Sequence, residues 1–345
     1  MLLARAPVRI SFGGGGTDLP AYYEKHGGAV LSTTIDRYFY VLLNVTHSNE
    51  LQITSSDYRT FYRHDSEEPL QWEGDLSLPK AILHQFGIMR GIRLFLASEV
   101  PPGTGLGSSS AVAVAIIKAV STACGMQMSR HELAEAACQM EIGKMGMPIG
   151  KQDQYAAAYG GLNFFRFEAG GVTAEPVRIA PEILEQFQER LLLFYTGASR
   201  DSSTILSEQT RKSSSNEGVV AALGNVKTMA FEARRLLERG ELRGIGELLD
   251  ASWQQKKKFA SGVTKPFVDE SYEVAKHHGA IGGKLTGAGG GGFLMLFCEP
   301  EDQINVTVAL ERRGLKRMGF HFEQNGAQVL MNGAVRLDRT MARAV

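Results

Sequence analysis

The residues in this chain best suited to chemistry sit in three glycine-rich stretches. Pro102-Gly103-Thr104-Gly105-Leu106-Gly107-Ser108-Ser109-Ser110 follows a strand-like run, Ile92-Arg93-Leu94-Phe95-Leu96. It leads into an Ala/Val/Ile-rich segment that reads as a helix ending at Gly125. Strand, glycine loop and helix start together suit phosphate. Glycine lets the backbone approach an anion closely. The first amides of a helix have no intrahelical partner and point outward along the dipole. Ser108, Ser109 and Ser110 add hydroxyls within reach of phosphate oxygens or a magnesium ion. The lysine-bearing P-loop pattern does not occur in the chain, and the dinucleotide pattern is not met, because these glycines stand two apart throughout.

Gly13-Gly14-Gly15-Gly16, followed by Thr17-Asp18, makes a second close-approach loop, and the glycines between 287 and 292 make a third. One such loop is an ordinary turn; three in a chain of 345 residues are hard to explain by turns alone. Glycine is 39 of the 345 residues, about one in nine, against roughly one in fourteen on average. Four charged residues stand near these loops or on the helices between them. By themselves, Glu141 reads as a solvated helix carboxylate, Asp153 as a helix cap, Arg9 as a strand-edge ion-pair partner and Asp18 as a turn carboxylate.

The elements that must position these residues follow from periodicity. Residues 8–12, 38–45, 51–53, 60–62, 92–96 and 162–167 read as strands, and 77–86 as a helix. Ser129 with Glu132 is a capping box that opens the helix carrying Glu141. Asp153 precedes a short Ala-rich helix closed by Gly160-Gly161. Composition shifts over 168–190, which places a boundary between units 1–185 and 186–345. Residues 191–195 then read as a strand and Ser213-Ser214-Ser215-Asn216 as a mobile polar loop. Val219, Leu223, Val226, Ala230, Ala233 and Leu237 mark a helix ending at Gly240. Two more helices reach Gly279, residues 293–298 form a strand, and a helix and two strands follow. The mixture is α+β.

Lys plus Arg and Asp plus Glu are 37 each, which argues against nucleic acid as the main partner but allows a small anionic substrate. Cys124, Cys138 and Cys298 form no disulfide framework and no C-x-x-C pair, as in a reducing compartment. No apolar run suits a signal peptide or a bilayer, so a cytoplasmic protein without membrane contact is expected. The eight histidines suggest no metal site, and Lys256-Lys257-Lys258 reads as a solvated helix end.

Three motifs in this order resemble the GHMP small-molecule kinases: galactokinase, homoserine kinase, mevalonate kinase and phosphomevalonate kinase. They are Ala6-Pro7-Val8-Arg9 with Gly14 and Thr17-Asp18, then Pro102 to Ser109, then Lys284-Leu285-Thr286-Gly287-Ala288 with Gly289 to Gly292. Within that family, three further stretches are similar to bacterial kinases of D-glycero-D-manno-heptose 7-phosphate. These are Phe12 to Pro20, Gly150-Lys151-Gln152-Asp153-Gln154-Tyr155 and Tyr195-Thr196-Gly197-Ala198-Ser199-Arg200. Galactokinases carry Glu-His where this chain has Gly15-Gly16.

The resemblance implies a two-domain fold, with an N-terminal α+β domain containing a left-handed βαβ unit, a ferredoxin-like C-terminal domain, and an active site between them. It implies ATP and Mg²⁺ as cofactors and phosphorylation of the anomeric hydroxyl of the heptose 7-phosphate to the 1,7-bisphosphate. The alternatives are a fucose- or galactose-type 1-kinase and, third, a non-catalytic sugar or ATP sensor. The partner is a small sugar or sugar phosphate, and a homodimer is left open. Carried onto this chain, Pro102, Gly103, Gly105, Leu106, Gly107, Ser108, Ser109 and Ser110, with Gly287, Gly289 and Gly290, hold the nucleotide. Ser109 and Glu141 hold the metal. Asp153 stands beside the acceptor hydroxyl, and Arg9 neutralises charge near it. Gly14, Gly15, Gly16, Thr17, Asp18 and Arg200 meet the substrate, with Arg200 and Lys151 as phosphate clamps.

Overall fold

Alternation in the first strand decides where the chemistry faces. In β1 (Leu2–Gly13) the residues Leu2, Ala4, Ala6, Val8, Ile10 and Phe12 are all buried in the core. Period-2 geometry therefore sends Arg9 and Ser11 to the opposite face. The structure is a computed structural model, and it describes residues 1–65, 73–197 and 203–337. β1 pairs antiparallel along its length with β2 (Gly28–Val45). The sequence pattern gives only the last part of β1, residues 8–12, and the second half of β2. The first half of β2 is buried on both faces, so it shows no alternation.

After β1 come α1 (Pro20–His26), β2, β3 (Glu50–Ser55), β4 (Thr60–Asp65), α2 (Ser77–Gln85) and β5 (Ile92–Ser98). Next are α3 (Ser108–Ala123), α4 (Arg130–Cys138), a π-helical turn over Gln139–Lys144, and α5 (Gln152–Tyr159). β6 (Asn163–Glu168), β7 (Gly171–Pro176) and α6 (Pro181–Glu189) fill the stretch where composition shifts. Strand order in the first sheet is β13-β1-β2-β5-β3-β4, with β6 and β12 also on β2 and β7 on β6. Helix α3 packs against β1, β2, α4 and α5 and is buried nearly all round, which its run of Ala, Val and Ile permits.

The second half contains β8 (Leu191–Tyr195), α7 (Ser203–Ser215), α8 (Glu217–Arg239), α9 (Leu242–Lys256) and α10 (Pro266–His277). β9 (Ala280–Leu285), β10 (Phe293–Cys298), α11 (Gln303–Arg312) and β11 (Lys316–Met318) follow. Its antiparallel sheet runs β11-β8-β10-β9. That is the 4-1-3-2 order of a ferredoxin-like βαββαβ unit, which completes the two-domain α+β architecture. Finally β12 (Phe322–Glu323) and β13 (Gln328–Asn332) leave this unit and pair with β2 and β1 of the first sheet.

Ser213 to Asn216 is not a loop. Its serines form the last turn of α7, and Asn216 caps α8, its side chain accepting a bond from the Val219 amide at 3.0 Å. Serine and asparagine satisfy helix ends as readily as turns, so composition alone misled there.

Candidate active site

Gly107 caps α3 in the left-handed region (φ +76°), with no side chain on the helix's first amides. Those amides stay open to a ligand. Gly105 also has positive φ, and a side chain there would begin 2.6 Å from the Thr286 carbonyl. A side chain on Gly287 would begin 2.5 Å from Gly105 Cα. The phosphate-type loop and the third glycine loop are therefore interlocked, backbone on backbone. Thr286 Oγ1 and the Phe293 amide both donate to the Thr104 carbonyl at 3.2 Å. Lys256 braces the same place, with Nζ donating to the carbonyls of Leu285 (2.8 Å) and Gly287 (2.5 Å). It is thus no solvated helix end.

Arg9 lies at the centre of the cleft and is almost wholly buried. Its Nε and Nη2 approach Asp153 Oδ1 at 2.8 and 2.6 Å, and its Nη1 donates to the Gly105 carbonyl at 2.6 Å. Its backbone amide donates to Leu106 at 2.9 Å. A side chain on Gly107 would begin 3.1 Å from the Asp153 carboxylate. Asp153, in the first turn of α5, thus abuts the start of α3 and is fixed there by Arg9.

The Gly13–Gly16 loop is tied to α5 through Asp18. That carboxylate accepts from the amides of Gly16 (2.9 Å) and Gln152 (3.2 Å) and from Gln152 Nε2 (3.1 Å). Burial, with the Asp153 charge adding, raises its pKa above the usual carboxylate range. Gly150 admits no side chain, since a Cβ would lie 1.9 Å from Asp18 Oδ2. Gly15 and Gly16 line the cleft. Gly14 instead packs on β2, and Thr17 Oγ1 bonds to the carbonyls of Gly14 (2.7 Å) and Ala29 (3.1 Å), stapling the loop from behind. Beside the loop, Gln152 Oε1 and Gln209 Nε2 are buried with no hydrogen-bond partner among the described residues.

Glu141 sits in the π-helical turn and is fully buried behind the start of α3. Ser109 Oγ donates to its Oε1 at 3.2 Å and Gln154 Nε2 to its Oε2 at 2.7 Å. Burial pushes its pKa up to about 7, against these bonds. Its hydrogen-bond partners are neutral, and Gln154 Oε1 is buried nearby with no partner among the described residues. Carboxylate, hydroxyl and amide oxygens form the hard donor set that a small divalent cation takes.

The cleft has a volume of about 550 Å³. It brings together Arg9, Asp18 and Asp153 with Pro102, Gly103, Gly105, Gly107 and Ser108 to Ser110, and with Gly287 and Gly289. Leu106 and Gly290 lie behind its walls, the latter donating to the Val263 carbonyl at 2.6 Å. Arg200 lies outside the described residues. Lys151 does not face the cleft as a clamp: its Nζ pairs with Glu135 at 3.0 Å. Sequence reasoning quoted Gln152 and Lys284 within motifs without giving either a role, read Lys256 as solvated, and did not single out Gln209. Lys284 is only 4% exposed on the cleft wall, its Nζ 3.4 Å from Ser11 Oγ, and burial beside Arg9 lowers its pKa to about 7.

Residues 77–161 match the family model for the N-terminal domain of GHMP kinases, and residues 233–316 the model for their C-terminal domain. The D-glycero-alpha-D-manno-heptose 7-phosphate kinase of Campylobacter jejuni is 30% identical over 332 residues, covering 94% of this chain and 97% of that protein. The L-fucokinase/L-fucose-1-P guanylyltransferase of Bacteroides fragilis is 27% identical, covering 89% of this chain but 35% of that protein. The crystal structure of a D-glycero-D-manno-heptose 1-phosphate kinase from Bacteroides thetaiotaomicron superposes with a TM-score of 0.81 at 26% identity. That match covers 97% of this chain and all of the other. The chain belongs to the GHMP kinases. It is accordingly an ATP-dependent phosphotransferase with an alcohol group as acceptor. Among the described residues no helix is long and apolar enough to cross a membrane.

Proposed function

We propose that this cleft transfers the γ-phosphoryl group of ATP to the anomeric hydroxyl of a heptose 7-phosphate, giving the 1,7-bisphosphate. The coarser statement, a GHMP-family sugar kinase, follows from the family and its relatives. One observation carries the mechanism: the Arg9–Asp153 pair is wedged between the phosphate-type loop at Gly105 and Gly107 and the Asp18–Gln152 hinge of the acceptor loop. A donor phosphate and an acceptor hydroxyl can then meet at one carboxylate.

Phosphoryl transfer needs positioning and charge neutralisation more than covalent chemistry. The open amides of α3 and the hydroxyls of Ser108 to Ser110 hold the β- and γ-phosphates. Ser109 and Glu141 would hold Mg²⁺, which when bound supplies neutralising charge to the phosphates. Asp153 orients the acceptor hydroxyl and takes its proton, and Arg9 fixes the carboxylate for that task. Gly15 and Gly16 leave room for the sugar, and Asp18 holds their loop against α5.

The heptose 7-phosphate kinase of C. jejuni supports the phosphorylated substrate. A second reading, an unphosphorylated fucose- or galactose-type sugar, is favoured by the pairing of Lys151 with Glu135, which takes one candidate phosphate clamp away. ADP release measured with heptose, its 7-phosphate, fucose and galactose separates them. The 7-phosphate should give the highest kcat/KM; equal values for heptose and its 7-phosphate would establish the simple-sugar reading instead.

A further inference from the structure

We propose that Lys284 is a catalytic residue that contacts the γ-phosphoryl group as it passes from ATP to the acceptor. This rests on the phosphoryl-transfer reading of the cleft and adds to it a role for the lysine that opens the third motif. Lysine is almost never fully buried unless paired. Lys284 is buried on the cleft wall, yet its hydrogen bond goes to a hydroxyl, that of Ser11. Among the described residues, the charge that acts on it is another cation, Arg9, with no carboxylate beside it in that role. Arg9 is matched by Asp153. Lys284 is left as an uncompensated buried charge, and a multiply charged phosphoryl group supplies the missing anion.

Its position fits the point of transfer. Ser11 stands two residues from Arg9 on the same face of β1, and a side chain on Gly15 would begin 3.7 Å from Ser11 Oγ. Lys284 therefore reaches the junction of the Arg9–Asp153 pair and the acceptor loop. Two residues on, its chain enters the Thr286-Gly287 turn that interlocks with Gly105, so its backbone is anchored to the donor side as well. Lys256, the other lysine on this wall, is committed to two carbonyls.

In the transfer, the acceptor oxygen forms a bond to the γ-phosphorus. The bond from that phosphorus to the β–γ bridging oxygen breaks, and its electron pair leaves on ADP. The hydroxyl proton passes to the Asp153 carboxylate. Lys284 exchanges no proton; it stays an ammonium and faces the charge spread over the equatorial oxygens.

The test uses the full chain with Lys284→Met and Lys284→Arg, the sugar or sugar phosphate on which the wild type is most active, ATP titration calorimetry and a thermal melt. Methionine matches the stem and removes only the buried charge, so the Met variant should melt no lower than wild type. Its kcat should fall about 10²–10³-fold while ATP affinity changes less than about tenfold, as for loss of one donor to developing charge. Arginine should restore part of the rate. It should also move the alkaline fall of kcat/KM upward, because guanidinium keeps its proton. Among the described residues, the other charged groups lining the cleft, Arg9, Asp18, Asp153 and Lys256, are unchanged in both variants. A folded Met variant within about threefold of wild-type kcat, or a loss confined to ATP affinity, would overturn the proposal. A wild type inert toward every sugar and sugar phosphate tried would overturn the sugar-kinase reading and this proposal together.

Discussion

Asp153 and Asn differ by one proton-accepting oxygen and one charge, and the Arg9 contacts at 2.6–2.8 Å leave little room for anything larger. Asp153→Asn should therefore fold, keep its ATP affinity and lose rate. Placed acid–base groups are worth about 10²–10⁴-fold, and a loose transition state favours the low end, so kcat should drop about 10²-fold. Steady-state rates beside ATP titration check this; a folded variant near wild-type kcat would leave Asp153 as a helix cap. Lys284 carries a second prediction, on stability. Its pKa is lowered from 10.5 to about 7, so between those values the unfolded chain binds more protons than the folded one. Stability of the ligand-free protein must then rise with pH across that window. Below it the cost of the buried charge is fully present; above it the cost is gone. Lys284→Met should raise the melting temperature most near or below about pH 7, and the gain should shrink toward pH 10. A gain independent of pH would show that the charge is not what burial penalises. At this scale the sequence was informative where glycine spacing marked a loop and silent where burial mattered. Gln152, Gln209 and Lys284 look like ordinary polar residues until three separate elements close over them.

The interlock of the phosphate-type loop with the third glycine loop belongs to the scale of elements. Gly105→Ala would push a methyl to 2.6 Å from the Thr286 carbonyl at a positive φ. It should raise the KM for ATP by at least about tenfold, or 1.4 kcal/mol, and lower the melting temperature. Gly170→Ala, where nothing lies within 4 Å of the added atom, should do neither. Equal effects from the two would show that the loops are not coupled. Most helices were legible because their apolar spacing and caps are local, as at the Ser129–Glu132 capping box. The π-helical turn was not, since Gln139 to Lys144 continues an ordinary helical pattern. Its wider winding, frequent at functional sites, is what carries Glu141 inward to Ser109. The early part of β2 escaped for the opposite reason: buried on both faces, it offers no period to read.

At the scale of the whole molecule, β12 and β13 cross from the second unit back to the sheet that holds Arg9. Local pattern shows that a short strand exists but not which sheet it joins. β13 covers the outer edge of β1 from Leu2 to Arg5, and β12 seats Phe322 against Phe12 and Phe187. A chain ending at Gly319 would bare that edge and lose the aromatic contacts. It should melt at a lower temperature than the full chain and bind ATP more weakly. A truncated chain that melts as high as the full one and binds ATP as tightly would show the two strands to be dispensable.

The same crossing sets a timetable for biosynthesis. The outer neighbour of β1 is made more than three hundred residues after β1 itself. At ordinary elongation rates that is roughly 15–60 s. Throughout that interval the strand bearing Arg9 has an unpaired rim, and so high a contact order makes closure slow as well as late. A nascent chain stalled before Gln328 would present that rim to any other chain nearby, so crowded translation of this protein would favour its association with chaperones that shield strand edges.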